Sequence, residues 1–245
     1  MGIAGDTILT VEHLKVYFPI RRGIFSRVSG WVRAVDDVSF ELGRGETLGI
    51  VGESGSGKST IARALTGLTK LTEGKICRGG RIGMVFQDPL GSLNPRQTIR
   101  ESIETVPRGF ERPDAAALLG KVGLTAAALE RYPHEFSGGE RQRICIARAL
   151  GMRPEILICD EAVSALDLSV RAQVLDLLKA LRGEFELSMI FITHDIGVVQ
   201  HVADRVMVMN RGKVVEAGEV DEVLHRPKDE YTQKLIAAVP RIGGR

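Results

Sequence analysis

Long uncharged runs are missing from this sequence. In its 245 residues the longest stretch free of Asp, Glu, Lys, Arg and His is residues 122–129, eight positions. A membrane-spanning helix needs roughly 20 mostly apolar residues, so none is expected. The N-terminus lacks an apolar block behind a basic start, because Asp6 and Glu12 interrupt it. No secretory signal is read there, and the cytoplasm is the expected compartment. Cysteine is scarce: Cys77, Cys145 and Cys159 are widely spaced and form no C-x-x-C pair. That excludes a disulfide framework, gives no metal-cluster spacing, and predicts small buried apolar side chains. Aromatic residues make up only 5%, too few for stacking platforms on single-stranded nucleic acid. Excess charge of one sign is lacking as well. The 33 Lys+Arg against 31 Asp+Glu leave a formal charge of +2, so no global attraction to nucleic acid is expected. With 44% hydrophobic and 26% charged residues, the composition excludes a mainly disordered chain. Glycine is the residue in excess, and nine of the 28 gather in two stretches, 43–67 and 138–139.

The patterning predicts an α/β fold. Residues 7–18 mix β-branched and polar side chains and predict a strand, and the basic, Gly- and Ser-containing stretch 21–31 predicts a loop. Strands at 32–42 and 46–51 flank a Gly43-Arg44-Gly45 turn. Residues 58–67 predict a helix, followed by short strands near 75–77 and 82–86. From about residue 98 to residue 150, Ala- and Leu-rich helical stretches dominate, at 115–122, 126–132 and 140–150. Strand and helix then alternate at 156–159, 170–182, 189–193, 196–202 and 205–209, before a final amphipathic stretch at 230–239. Apolar strands alternating with helices predict a mainly parallel sheet. The helical block interrupts that alternation. It predicts one domain spanning 1–245, with a core of about 1–87 and 151–245 and an inserted helical subdomain of about 88–150.

The strongest local signal is Gly52-Glu53-Ser54-Gly55-Ser56-Gly57-Lys58-Ser59. It fits G-x-x-x-x-G-K-[ST] and follows the apolar run Leu48-Gly49-Ile50-Val51, the strand–loop–helix context that pattern requires. Glycines let successive N–H groups turn toward phosphate oxygens, and the helix start adds partial positive charge. Lys58 is placed to reach β- and γ-phosphates, and Ser59 to ligate Mg²⁺. A second apolar run, 156–159, ends in Asp160-Glu161. Buried strands of open α/β sheets present functional groups at their C-terminal ends. Asp160 is the candidate Mg²⁺ partner, and Glu161 the candidate base that activates water. Ser137-Gly138-Gly139 before a good helix makes a second anion-binding start. One chain has little use for two γ-phosphate cradles unless the second serves another subunit. Thr193-His194-Asp195 closes the apolar run 189–193, where a histidine can hydrogen-bond a γ-phosphate.

This ordered set resembles the ATP-binding subunit of ATP-binding cassette (ABC) transporters over almost the whole chain. Residues 52–59 match the Walker A motif and 156–161 the Walker B motif. Residues 136–140 match the signature motif, with Phe136 and Glu140 in place of the commoner Leu and Gln, and Ala162 stands where many relatives have Pro. Gln87 matches the Q-loop, residues 164–167 the D-loop with Asp167, and His194 the switch histidine. Phe18 or its neighbour Tyr17 matches the aromatic that stacks on adenine. Strand alternation puts Phe18 on one face with Leu14 and Val16, which favours Phe18.

The resemblance implies a P-loop NTPase core with an N-terminal antiparallel β region and a helical insert. It implies ATP and Mg²⁺ as cofactors, and ATP contacts from Gly52, Ser54, Gly55, Ser56, Gly57, Lys58, Ser59, Thr60, Ser137, Gly138, Gly139 and Asp167. Glu161, His194 and Gln87 are implied in catalysis, and Ser59, Gln87 and Asp160 in metal binding. Residues 86–96, 160–167 and 231–235 are most similar to the oligopeptide, dipeptide and nickel importer branch. From Lys58 to Gln87 the spacing of 29 residues is shorter than usual for that branch.

The implied partners are a second cassette, identical or related, in a head-to-tail dimer, two transmembrane permease subunits and, indirectly, an extracytoplasmic solute-binding protein, with no nucleic acid. The implied location is the cytoplasmic face of the inner membrane. The implied cargo is a peptide, opine or nickel complex. Non-transport ABC ATPases acting on DNA or ribosomes are a different class. They carry coiled coils, zinc modules or paired cassettes, and this chain has none of those patterns. An exporter subunit and a nucleotide-binding regulatory module without hydrolysis are further readings, and the presence of Glu161 and His194 weighs against the last.

Overall fold

Alternating apolar runs and glycine-rich turns become strands and helices in the computed structural model, which describes residues 6–22 and 27–238. From the N-terminus, β1 (Thr7–Arg22), β2 (Arg27–Gly43) and β3 (Thr47–Val51) lead to α1 (Lys58–Leu65). β4 (Glu73–Arg78) and β5 (Ile82–Val85) follow, then the short helices α2 (Pro89–Ser92), α3 (Ile99–Glu104) and α4 (Ala115–Lys121). Two 3₁₀ turns, Ala126–Glu130 and Pro133–Glu135, precede α5 (Gly138–Leu150). Next come β6 (Ile156–Asp160), α6 (Leu168–Glu184), β7 (Ser188–Thr193) and α7 (Ile196–Val202). β8 (Arg205–Asn210), β9 (Lys213–Glu219), α8 (Val220–His225) and α9 (Glu230–Ala237) complete the described chain.

The chain divides into two compact units. The first holds the residues up to Gly79 and those from Phe191 onward. In it β2, β1 and β4 form an antiparallel sheet in that order. β3 pairs parallel with β8, Ile50 facing Met207, and β9 returns antiparallel on β8. Val51, Val199, Val206, Val208, Val220 and Val223 make one core cluster, with Tyr231 and Leu235 of α9 packed against it. The sheet is therefore mixed.

The second unit runs from Gly80 to Ile190. Here β5 pairs parallel with β6, Ile82 facing Ile156. Ile156, Leu157 and Ile158 are fully buried, each such side chain contributing about 1.5–3 kcal/mol. The short helices α2, α3 and α4 pack on α5, whose Ile144, Cys145, Ile146 and Ala147 are fully buried. β7 carries the chain back into the first unit.

Four local readings need correction. Within the stretch expected as a loop, residues 21–22 and 27–31 are strand: β1 runs to Arg22 and β2 begins at Arg27, with Pro19 opposite Trp31 and Ile20 opposite Gly30. Cross-strand pairing of these apolar residues overrides the basic, Gly/Ser-containing composition. Positions 23–26 of that stretch, and Val239 at the end of the predicted last helix, lie outside the described residues. The 126–132 stretch forms a 3₁₀ turn rather than an α-helix, because Pro133 disfavours helical conformation in the residue before it. Residues 213–219 form β9 and 220–225 form α8, neither expected from the sequence. Cys145 and Cys159 are buried as expected, but Cys77 is only half-buried.

Candidate functional site

In the first unit, the glycine-rich loop joins buried β3 to α1. Gly57 is the helix N-cap at φ +106, a left-handed conformation that side chains resist. A Cβ there would lie 2.2 Å from Ala34 O, so the loop and β2 touch only because position 57 has no side chain. Ile61 N is hydrogen-bonded to Gly57 O at 3.1 Å, and the amides before it belong to the first turn, which has no intrahelical carbonyls to meet. Lys58, Ser59 and Thr60 supply that first turn. The buried Lys58 ammonium donates to Gly52 O and Glu53 O, each at 2.8 Å, and reaches Ser56 Oγ at 3.4 Å. Ser56 is buried, while Ser54 and Gly55 are exposed at the loop crest. The backbone of Ser56 is tied down through its carbonyl, which accepts from Gly212 N at 2.9 Å.

Tyr17 and Phe18 lie in β1 with different surroundings. The Tyr17 hydroxyl donates to Asp36 Oδ1, and the Arg33 guanidinium lies 5.6 Å from its ring centroid. That hydrogen bond holds the Asp36 carboxyl below its usual range and pushes the Tyr17 phenol up. Phe18 is 43% exposed, whereas Leu14 and Val16 are buried. The strict alternation that puts these three on one face fails, because register shifts interrupt the strand between Leu14 and Val16 and again between Val16 and Tyr17. His194 follows β7 and is exposed. Beside it Asp195 N donates to Thr193 Oγ1 at 3.0 Å, and Asp195 caps α7 by accepting from Gly197 N at 2.9 Å.

In the second unit, Asp160 is the last residue of β6 and is 6% exposed. Glu161 follows in a left-handed conformation, φ +48, which costs a non-glycine residue on the order of 1–3 kcal/mol. Gln87, just beyond β5, donates its side-chain amide to Glu161 Oε2 at 3.2 Å. The Gln87 side-chain carbonyl oxygen is itself an acceptor. Gln87, Asp160 and Ser59 all offer oxygen, the donor type Mg²⁺ takes.

Ser137 is the N-cap of α5. Its Oγ accepts from Glu140 N, while Glu140 Oε2 accepts from Ser137 N at 2.8 Å and from the Ser137 hydroxyl at 2.7 Å. These hydrogen bonds hold the Glu140 carboxyl below its usual range. Glu140 therefore completes the cap as the commoner Gln does, and Gly138 and Gly139 form the first turn. Asp167 caps α6 by accepting from Val170 N at 3.0 Å and from Ser169 Oγ at 2.8 Å, and its carboxyl is likewise held low.

The structure adds one residue that the sequence did not place in the site. Glu53 N in the glycine-rich loop donates to the Tyr231 hydroxyl at 3.0 Å. The signal was present, since Tyr231 opens the stretch 231–235 that resembles the importer branch, but nothing in the sequence linked it to residue 53.

The family model described as ABC transporter matches residues 35–164. This chain belongs to the ABC transporter family. It binds ATP with Mg²⁺ and hydrolyses ATP. It is 48% identical to the oligopeptide transport ATP-binding protein AppF of Bacillus subtilis, over 96% of this chain and 79% of AppF. It is also 48% identical to the glutathione import ATP-binding protein GsiA of Salmonella choleraesuis, over 97% of this chain and 42% of GsiA. Among solved structures, the dimeric post-hydrolysis state of the ATP-binding cassette MJ0796 bound to ADP and Pi matches with a TM-score of 0.74. It is 27% identical and is aligned over 87% of this chain and 99% of that one. The core is that of a P-loop NTPase. Among the described residues no helix is long and apolar enough to cross a membrane.

Proposed function

We propose that this chain is the ATPase subunit that powers import of a small solute of the peptide class through separate membrane subunits. The names of AppF and GsiA, at 48% identity, support the transport class. One observation carries the residue assignment: Gln87 holds the carboxylate of Glu161, and Glu161 sits in a left-handed conformation at the end of a fully buried strand. In this reading residues 1–245 act as one cassette domain. It works head to tail with a second cassette, identical or related, on the cytoplasmic face of the inner membrane. Two permease subunits and, beyond them, an extracytoplasmic binding protein complete the system.

Bound Mg²⁺ neutralises phosphate charge, and ATP supplies the reactive γ-phosphoryl group. The chain's own residues do the rest. Phe18 offers an open ring to the adenine, since the Tyr17 ring is already covered by Arg33. The first-turn amides of α1 and the loop 54–57 are read as the phosphate cradle, with the Ser56 amide itself donating to Glu53 O at 3.2 Å, and Lys58 would reach the β- and γ-phosphates. Ser59, Gln87 and Asp160 would hold the metal as oxygen donors. Glu161 takes the proton of the attacking water, and His194 hydrogen-bonds the γ-phosphate. Ser137, Gly138 and Gly139 serve the partner's nucleotide, with Asp167 beside them.

The test is co-expression with the neighbouring permease subunits, followed by ATPase assays with peptides, opines and nickel complexes in the presence of the binding protein. Stimulation by peptides is expected. Stimulation only by nickel complexes or opines, or by DNA or ribosomes, would overturn the assignment.

A further inference from the structure

The peptide unit joining Gly52 to Glu53 is held at both ends. Its carbonyl, Gly52 O, accepts from the Lys58 ammonium at 2.8 Å. Its amide, Glu53 N–H, donates to the phenolic oxygen of Tyr231 at 3.0 Å, from 178 positions away along the chain. Gly52 has φ +154, and a Cβ on it would lie 2.2 Å from Met209 O. Contact with β8 therefore limits how this peptide can move.

Tyr231 is delivered by an anchored turn. Asp229 caps α9, its Oδ1 accepting from Tyr231 N at 2.8 Å. The Glu216 carboxylate on β9 accepts from Lys228 N at 2.8 Å and from Asp229 N at 3.2 Å. The Tyr231 ring and Leu235 pack on the valine cluster that includes Val51 of β3. The hydroxyl thus meets the loop from a fixed direction.

We infer that Tyr231 is a positioning residue for ATP binding, acting through the Gly52–Glu53 peptide on Lys58. This rests on the reading of residues 52–59 as the phosphate loop. Accepting the amide proton polarises the peptide and strengthens its carbonyl as a partner for the ammonium. The same hydrogen bond fixes the plane from which the Ser54 and Gly55 amides continue. Tyr231 touches neither phosphate nor metal in this scheme. Its effect falls on affinity for the phosphate chain and spares the chemical step.

The experiment uses the full chain with Tyr231→Phe, which keeps the ring and removes the hydroxyl, and Lys58→Ala beside it. Equilibrium binding of a fluorescent ATP analogue, KM and kcat for ATP, and the thermal midpoint are measured. Tyr231→Phe is expected to weaken ATP binding and raise KM about three- to tenfold, the range for one lost neutral hydrogen bond, with kcat and the midpoint unchanged. Wild-type affinity, or a lowered midpoint with wild-type affinity in the folded protein, overturns the inference. If Lys58→Ala loses ATP while Tyr231→Phe binds normally, the phosphate-loop reading stands and only the role of Tyr231 falls. If Lys58→Ala binds ATP normally, both fall. Amide hydrogen exchange in the unmutated chain is an independent check. The Glu53 amide is expected to exchange as slowly as those of β3, and fast exchange overturns the inference.

Discussion

The side-chain amide of Gln87 meets the carboxylate of Glu161 at 3.2 Å. The two residues are 74 positions apart, yet each follows a strand of the parallel β5–β6 pair. Parallel pairing in register brings both strand ends to the same edge, so the metal-binding candidate and the candidate base become neighbours. Replacing Glu161 by Gln keeps the shape and removes the base. Steady-state phosphate release is expected to fall about 10²–10⁴-fold, while ATP binding survives and ATP-dependent dimers accumulate on size exclusion. Turnover near the unmutated rate would remove Glu161 from this role.

Gly57→Ala tests the loop itself. The new methyl would sit 2.2 Å from Ala34 O at φ +106. The left-handed conformation alone costs on the order of 1–3 kcal/mol, and the clash with a backbone oxygen adds to it. Chemical denaturation is expected to show a loss of at least that size, together with loss of ATP binding. A variant as stable as the parent would mean that the loop relaxes away from β2 at little cost.

The cap of α5 separates structure from charge. Ser137→Ala is expected to cost about 0.5–2 kcal/mol, the usual value of an N-cap side chain, read as a shift of the denaturation midpoint. Glu140→Gln keeps an oxygen acceptor for Ser137 and is expected to leave stability at neutral pH nearly unchanged.

The same substitution changes the response to acid. The folded Glu140 carboxyl is held below the ordinary value of 4.5 by its hydrogen bonds to Ser137. A lowered carboxyl stabilises the fold above its unfolded pKa, and that contribution is lost as pH falls through the folded value. Between about pH 6 and pH 3, the unmutated chain should therefore lose stability that Glu140→Gln, which has no carboxyl to protonate, keeps. Parallel stability curves for the two proteins would count against the cap.

Thiol chemistry should follow burial. Burial pushes the Cys159 thiol up to about 12, and burial raises Cys145 as well. Cys77 is only half-buried. A thiol reagent at neutral pH is expected to label Cys77 first, with Cys145 and Cys159 reacting only on unfolding, since thiolate and access both set the rate. Native labelling of Cys159, followed by peptide mapping, would contradict the burial of β6.

Much of this protein was legible from residue order. The pattern at 52–59, the apolar run ending in Asp160-Glu161 and the Ser137-Gly138-Gly139 start are local. Each needs only a strand, a turn or a helix cap, and short-range stereochemistry determines those. The buried strands were legible for the same reason, because continuous apolar runs announce burial on both faces. Tertiary structure decided what depends on distant partners. Pairing across the hairpin made strand of the basic stretch near Arg21. Register shifts in β1 left Phe18 in the open while Tyr17 was tied to Asp36. Packing of α9 on the valine cluster brought Tyr231 to Glu53. A hydrogen bond between residues 178 positions apart has no periodicity to reveal it, because its geometry is set by the strands and helices that carry its two ends.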